Sequence, residues 1–530
     1  MAPNAAKIEK PEIVMIDNKD EIPTNNDIEK TAQVRIIDSI PVLGLSEDDA
    51  AFYNSVTQYQ RKKIVRKVDL RLVPMLAILY LVSQLDRANI GNAKIEGLAE
   101  DLHLVGNQYN VVLALFFIPY ILLEVPSNVL LKKFKRPSVY LGSLVTVWGI
   151  VMTMHGVVSN FGGLLAVRLL LGVFEAGFYP GAIYLCTFWY MPKELATRIA
   201  YFYCTSALSG AFSGLLAAAI ALMDGIGGYE GWRWIFLLEG IATTLLGVLC
   251  FYFLIDSPSL SGSWLSQDEI RFLELQAFVK QGGRFSEQSA ENRFDWYEFR
   301  MVLTNWRLYL QAYILLCISA CSYGTKFTLP SIIKAMGFSN NTIAQLMTVP
   351  AYVAGGISSI FFAFLSDRFL WRMPFVAIPL LLITIGYSVV IGFNGDLGGS
   401  HTGPGYFALV LTCMGIYPVQ PSGTSWAANN LAPANRCAIG VAFCICMGNI
   451  GGIIGSFMYL DKEAPFYHTG FGLSLAFGGS GVLVALFLEL SYMWANQQKS
   501  KIPEEQIREQ FSEDELLRLG DKSLLFTHTL

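Results

Sequence analysis

The sequence predicts an all-α membrane protein with twelve transmembrane helices in two related six-helix halves. Of its 530 residues, 53% are hydrophobic and 15% charged, and the mean hydropathy is +0.44, more apolar surface than a soluble core can hide. The apolar residues fall into about twelve runs of roughly 20 residues, the length that crosses a hydrocarbon layer about 30 Å thick. The connecting segments alternate between basic ones and ones with few basic residues beyond Lys94, Arg233, Lys334 and Lys462, the asymmetry that fixes which side a loop occupies.

The elements follow in order. Residues 1–65 are polar, with no apolar stretch of the secretory-signal kind, so this tail is expected to be cytoplasmic and the first span to target the chain. Residues 66–255 form the first half, with spans near Leu70–Gly91, Tyr109–Leu131, Val139–Val157, Gly163–Phe188, Ile199–Met223 and Trp232–Ile255. Residues 256–305 form a cytoplasmic loop in which Ile270, Leu273, Leu275 and Phe278 recur at roughly helical spacing, predicting an interfacial helix over 267–281. Residues 306–495 form the second half, with spans near Leu308–Leu329, Thr342–Leu365, Phe375–Phe393, Gly405–Asn430, Cys437–Tyr459 and Gly472–Ala495. A cytoplasmic tail, 496–530, closes the chain. Lys132, Lys133, Lys135, Arg136, Lys193, Arg198, Arg368, Arg372 and Arg436 all fall on the side of the two tails. Arg198 precedes Gly210-x-x-x-Gly214 by the interval at which Arg436 precedes Gly448-x-x-x-Gly452, the mark of a duplication with close helix crossings.

Composition excludes several function classes. A net charge of -4 with no long basic stripe argues against nucleic acid. The nine cysteines lie mostly in apolar runs, where a thiol behaves as a small hydrophobe, and five scattered histidines give no metal-ligand spacing. No nucleophile elbow or phosphate-cradling loop stands in a plausible context, so neither an enzyme nor a cofactor is expected. The expected partners are the bilayer, protons and a small solute, with the chain acting as a monomer.

Chemistry enters through ions that a bilayer should reject. Asp86 and Arg87 sit in the first span, Arg168 and Glu175 in the fourth. Each costs roughly 2.5 to 3.5 kcal/mol at a helix centre unless it pairs or faces water. Arg168 and Glu175, seven residues apart, share a helix face about 10 Å apart along the axis and cannot touch, so each needs another partner. Asp86 and Asn89, three apart, can address the same group. A carboxylate whose charge depends on a nearby arginine, itself attracted to an anionic solute, is in outline a proton-coupling device. A fixed salt-bridge lock between helices is the plainer alternative.

These residues carry a resemblance. Leu85-Asp86-Arg87-Ala88-Asn89-Ile90-Gly91-Asn92-Ala93, Asp101 through Asn110, Tyr120 through Asn128, Arg168 through Pro180, Gly231 through Gly240, Met336-Gly337-Phe338, Ala344 through Tyr352 and Cys413 through Tyr417 resemble the fungal allantoate permease family. These are anion:cation symporters of the major facilitator superfamily, and the likeness is greatest to its nicotinic acid transporters. It runs from about Arg66 to Trp494. It implies the major facilitator fold, with helices 1, 4, 7 and 10 lining a central cavity, and proton-driven uptake of a small organic anion such as nicotinate, allantoate or a related carboxylate. Bacterial relatives that import sugar acids place an acid and an arginine on helix 1 and an arginine and an acid on helix 4, positions that match Asp86, Arg87, Arg168 and Glu175.

On that basis Asp86 and Glu175 are expected to carry the proton. Arg87, Arg168, Asn89, Tyr323, Lys326, Tyr417, Trp426 and Asn429 are expected to meet the anion. The loop between helices 2 and 3 lacks the superfamily's Gly and Asp, whereas Ser366-Asp367-Arg368 keeps them in part, which makes Asp367 and Arg368 gating candidates. Lys326 departs from relatives that carry a neutral residue there. It either holds a second carboxylate or snorkels to the interface. Glu124 and Glu239 read as structural hydrogen-bonding groups, and Asn430 and Asn449 as polar glue or cavity groups. The expected location is the plasma membrane with both termini cytoplasmic. Export of an acidic metabolite and a non-transporting nutrient receptor are the competing readings.

Overall fold

A computed structural model describes residues 46–131, 133–280, 296–338, 340–369, 371–432 and 434–503, and beyond these 506–507, 510–511, 515–516 and 519–530. The residues described are helical or connecting, with no strand among them. Twelve long helices dominate: α1 (Gln58–Ala93), α2 (Gln108–Leu131), α3 (Pro137–His155), α4 (Phe161–Trp189), α5 (Pro192–Ile220), α6 (Gly231–Phe253), α7 (Trp306–Ala335), α8 (Asn341–Ser366), α9 (Pro374–Gly392), α10 (Thr402–Asn429), α11 (Ala434–Met458) and α12 (His468–Lys499). Among the described residues, eleven segments are long and apolar enough to cross a membrane. The exception is α10, whose half nearer the chain termini carries Gln420, Pro421, Thr424 and Ser425 toward an internal cavity and is correspondingly polar.

Local chemistry sets the ends. Thr57 and Gln60 form a reciprocal capping box at the start of α1, and Asn160 caps α4 by accepting from the Gly163 N–H. Prolines at the first turn of α3, α5 and α9 sit where their missing N–H costs nothing. α4 is interrupted in mid-span, ending one segment at Glu175 and resuming at Phe178. Gly177 lies in that break against Ser127 of α2, where any side chain would collide with the serine hydroxyl.

Helix pairings recur at an offset of six. α1 packs on α5 as α7 packs on α11, and α3 on α6 as α9 on α12. Each half has its own core, around Trp148, Trp232 and Phe236 in the first and Tyr387, Trp426 and Phe471 in the second. Large apolar side chains such as Leu122, Leu245, Phe364, Leu483 and Leu490 are exposed around the outside, a surface made for lipid rather than water. The halves meet along α5–α8, α1–α7 and α2–α11. Gly210 and Gly214 permit the first contact: a Cβ there would stand 2.6 Å from Tyr352 and from the Thr348 hydroxyl. Their counterparts divide the work, Gly452 lying against Phe117 across the interface while Gly448 faces Ser319 of its own half.

The expected interfacial helix is instead covered by protein. Ile270, Phe272, Leu273, Leu275 and Phe278 of Gln267–Lys280 are all buried, and Ile270, Phe272 and Leu273 join the core of the first half. Lys67–Glu269 (2.6 Å) and Arg271–Asp49 (2.5 Å) hold the helix, and Tyr53 stacks on Phe272 at 5.4 Å. Pairing with Arg271 and the Ser46 hydroxyl keeps the Asp49 carboxyl below its ordinary range.

The end of the chain is docked as well. Arg436 pairs with Asp521 at 3.1 Å, and Lys499 donates to the Asp521 and Phe526 carbonyls. Asn496 brackets His528 with two 2.8 Å hydrogen bonds, and the Leu530 carbonyl accepts from the Arg372 N–H. Residues 519–530 thus clasp α7, α10, α11 and α12 at the face where α1 begins and α12 ends, here called the terminal face.

Candidate functional site

A cavity of about 310 Å³ lies between the halves. Its wall includes Ser83, Gln84 and Arg87 of α1, Tyr120 of α2, Glu175 and Tyr179 of α4, Tyr323 and Lys326 of α7, Tyr417 and Gln420 of α10, and Asn449 of α11. The lining extends from Glu175 and Lys326 at mid-depth toward Ala428 and Val441 near the terminal face. The opposite, distal end is sealed. Lys94 pairs with Asp461, Asn110 donates to the Ser456 carbonyl at 2.6 Å, and Glu96 accepts from Gln345 at 2.9 Å. Gly91 also lets α1 approach the Phe327 carbonyl, a Cβ there lying 2.9 Å from the oxygen.

At the centre Arg87 Nε donates to Glu175 Oε1 at 2.7 Å, with both side chains buried. Ser83 donates to the same oxygen at 2.6 Å, and Arg87 Nη1 donates to the Tyr323 hydroxyl at 2.8 Å across the interface. The guanidinium lies 4.6 Å from the Tyr120 ring centre and 5.0 Å from that of Phe116, so aromatic faces supply the rest of its environment. Glu175 Oε2 has no hydrogen-bond partner among the described residues. Charged hydrogen bonds of this kind are short and strong, and an isolated buried partner would be expensive to leave behind.

Lys326 belongs to the cavity. Its Nζ donates across the seam between the halves to the Gln84 carbonyl at 2.8 Å and to Gln84 Oε1 at 3.1 Å. Tyr323, on the same face of α7, and Tyr417 also line the space.

The remaining expected site residues, Asp86 as a proton carrier, Asn89, Arg168, Trp426 and Asn429 as anion contacts and Arg368 as a gating residue, lie outside the cavity lining. Asp86, about 100° around α1 from Arg87, turns into the first half, where it accepts from Trp148 Nε1 at 3.0 Å. Asn89, about 200° from Arg87, donates to Glu239 and accepts from the Ser213 hydroxyl at 2.8 Å, a polar knot among α1, α5 and α6. Arg168 shares the Glu175 stripe but stands about 10 Å nearer the sealed end, beyond the lining, and its Nε and Nη2 have no hydrogen-bond partner among the described residues. Trp426 is fully buried, its indole N–H donating to the Thr529 carbonyl of the clasp at 3.0 Å, and Asn429 is exposed outside the cavity. Asn430, one residue on, takes up Thr529 instead. Arg368 is exposed on the terminal face, and the side chain of Asp367 lies outside the described residues.

Sequence reasoning missed Ser83, Gln84 and Tyr120. Ser83 lies four residues before Arg87, on the same helix face, and that spacing was the available signal. Gln84 touches Lys326 only through the meeting of two distant helices, which spacing along the chain does not reveal. Glu124 accepts from Asn449 at 3.2 Å, joining the halves beside the cavity.

Residues 76–456 match the sequence model described as Major Facilitator Superfamily. The chain is 31% identical to the MFS-type transporter cnsO of Penicillium expansum over 89% of its length and 91% of that protein. It is 30% identical to the high-affinity nicotinic acid transporter of Saccharomyces cerevisiae, covering 88% of this chain and 84% of the relative. A bacterial homologue of the human lysosomal transporter Spinster, in an inward-facing and unoccupied conformation, shares the fold with a TM-score of 0.59 at 16% identity, over 79% of this chain and 94% of the other.

Proposed function

Because this chain belongs to the Major Facilitator Superfamily, and is therefore a membrane transporter and not an enzyme, we propose that it is a proton-coupled symporter importing a small organic anion by alternating access. Within the superfamily we assign it to the allantoate permease branch, in the plasma membrane, with the basic terminal face toward the cytosol. Nicotinate, allantoate and related carboxylates are the cargo class that the nicotinic acid transporter's name supports.

The observation that carries the reading is the Arg87–Glu175 pair in the cavity wall. While Glu175 is ionised it occupies the guanidinium. Protonation releases Arg87 for a carboxylate, and a carboxylate on Arg87 in turn favours the protonated acid, because coupling between two sites is reciprocal. Arg168 stands toward the sealed end with unpartnered N–H groups, so a distal opening would present it first to an entering anion. Asp86 stays behind in the first half, held by the Trp148 indole N–H and outside the cavity lining, so it does not touch the cargo. A monoanion moving with one proton is electroneutral, and a second proton would add about 2.3 kcal/mol of drive per 100 mV.

Uptake of radiolabelled carboxylates, nicotinate and allantoate among them, at pH 5 and pH 7.5 by cells expressing the protein tests this. Acid-stimulated accumulation is expected for the native chain. Glu175→Gln should lose it while retaining exchange of pre-loaded cargo. Accumulation indifferent to external pH, or undiminished in Glu175→Gln, rejects the coupling role.

A further inference from the structure

We infer that Lys326 is a second anion contact and that the cargo is a carboxylate with a second negatively charged group, a dicarboxylate in the simplest case. The inference rests on the symport reading and narrows its cargo. Three charged side chains line the cavity: Arg87, Glu175 and Lys326. The carboxylate is committed to Arg87 at 2.7 Å and to Ser83, whereas Lys326 has only the neutral oxygens of Gln84. No ion pair to Lys326 exists among the described residues. Gln84 takes two of the three ammonium donors, which leaves the third for the space that the residue lines.

An ammonium in this position is not there by default. Lys326 is 5% exposed and lies nine residues before the distal end of α7 at Ala335, about 14 Å along the axis, beyond the reach of a snorkelling side chain. A buried cation without an anionic partner opposes folding unless something compensates it. Charge counting then sets the cargo. With Glu175 ionised the wall carries one net positive charge. Once Glu175 takes a proton, as the loaded state of a symporter requires, two cations remain, and a dianion neutralises both. Arg87 and Lys326 project from facing helices of opposite halves, so a ligand bridging them would also tie the halves together.

The test is direct binding by thermal shift and calorimetry, using the purified full-length protein in nanodiscs at pH 6.5, where succinate is largely a dianion, with succinate and its monoanionic counterpart butyrate. Succinate should bind the native protein about 10- to 100-fold more tightly, the value of one charge-assisted contact. Lys326→Gln should erase that preference by weakening succinate far more than butyrate, and Lys326→Arg should keep it. A merely structural tether between α7 and Gln84 would lower stability without changing the ratio. Equal affinities in the native protein, or an undiminished preference in Lys326→Gln, overturn the inference and leave the anion symport reading standing. Failure of every small carboxylate to bind removes both.

Discussion

Acidification should release the C-terminal clasp, and His528 sets the magnitude. Its imidazole is buried. Nδ1 lies 3.2 Å from Asn430 Oδ1, and Nε2 lies 3.4 Å from Arg307 Nη1. Because Arg307 can only donate, Nε2 must accept and Nδ1 must carry the proton, so the docked ring is neutral. A second proton would set N–H against N–H. Burial first, then the Lys499 and Arg307 cations, push the imidazole down to about 3, whereas a free histidine titrates near 6.5. Between those values the undocked state binds more protons, so docking is fully favoured above about pH 6.5 and weakens as pH falls. At pH 5 the released imidazole is protonated about 30 to 1, which costs the clasp about 2 kcal/mol relative to pH 7.5. That figure is set by the free value and barely depends on how far below pH 5 the docked ring titrates. Hydrogen exchange of residues 519–530 in the purified protein, corrected for the intrinsic pH dependence of exchange, should show about a 30-fold loss of protection over that range. His528→Asn should flatten the profile. Asp521→Asn, which removes the carboxylate of the cluster, should keep the slope on a lower baseline. Equal protection at both pH values, or an unchanged slope in His528→Asn, refutes the reasoning.

Three further outcomes are expected. Arg87→Met leaves Glu175 buried with only Ser83 and should cost about 3 to 5 kcal/mol, seen as a lower melting temperature in detergent. Arg87→Met/Glu175→Gln should regain most of that loss, and a double variant as unstable as the single one would deny the pairing. Gly177→Ala should cost about 1 to 3 kcal/mol by forcing α4 away from Ser127 of α2, with partial rescue when Ser127 is also replaced by Gly. A Gly177→Ala variant as stable as the native protein would show that the contact is slack. Lys94→Ala removes the ion pair to Asp461 on the distal face and should speed labelling of Asn110→Cys by a membrane-impermeant thiol reagent. Unchanged labelling would show that the seal does not depend on that pair.

Legibility differed by residue. Periodicity and length located the twelve helices to within a few residues at most ends, because lipid requires every spanning segment to be long, apolar and internally hydrogen-bonded. The helix at Gln267–Lys280 was legible as a helix but not as a buried one, since the same apolar stripe suits lipid or protein equally well. Asp86, Arg87, Arg168 and Glu175 were legible as costly ions. Their division into a cavity pair and two members outside it was not.

The sequence by itself determined that the chain spans the membrane, which face gathers the basic loops, and that its first and fourth spans hold ions needing partners. These follow from composition and from transfer energies that act residue by residue. Tertiary structure alone decided that Arg87 meets Glu175 in the cavity while Asp86 turns to Trp148, that Lys326 meets Gln84 inside the cavity, and that Trp426 and Asn430 hold the end of the chain instead of a solute. Each of those outcomes depends on the rotation and depth at which one helix meets another, and that is settled by the packing of whole faces, such as α1 against α7 at Gly91, rather than by any property of the residues that end up touching.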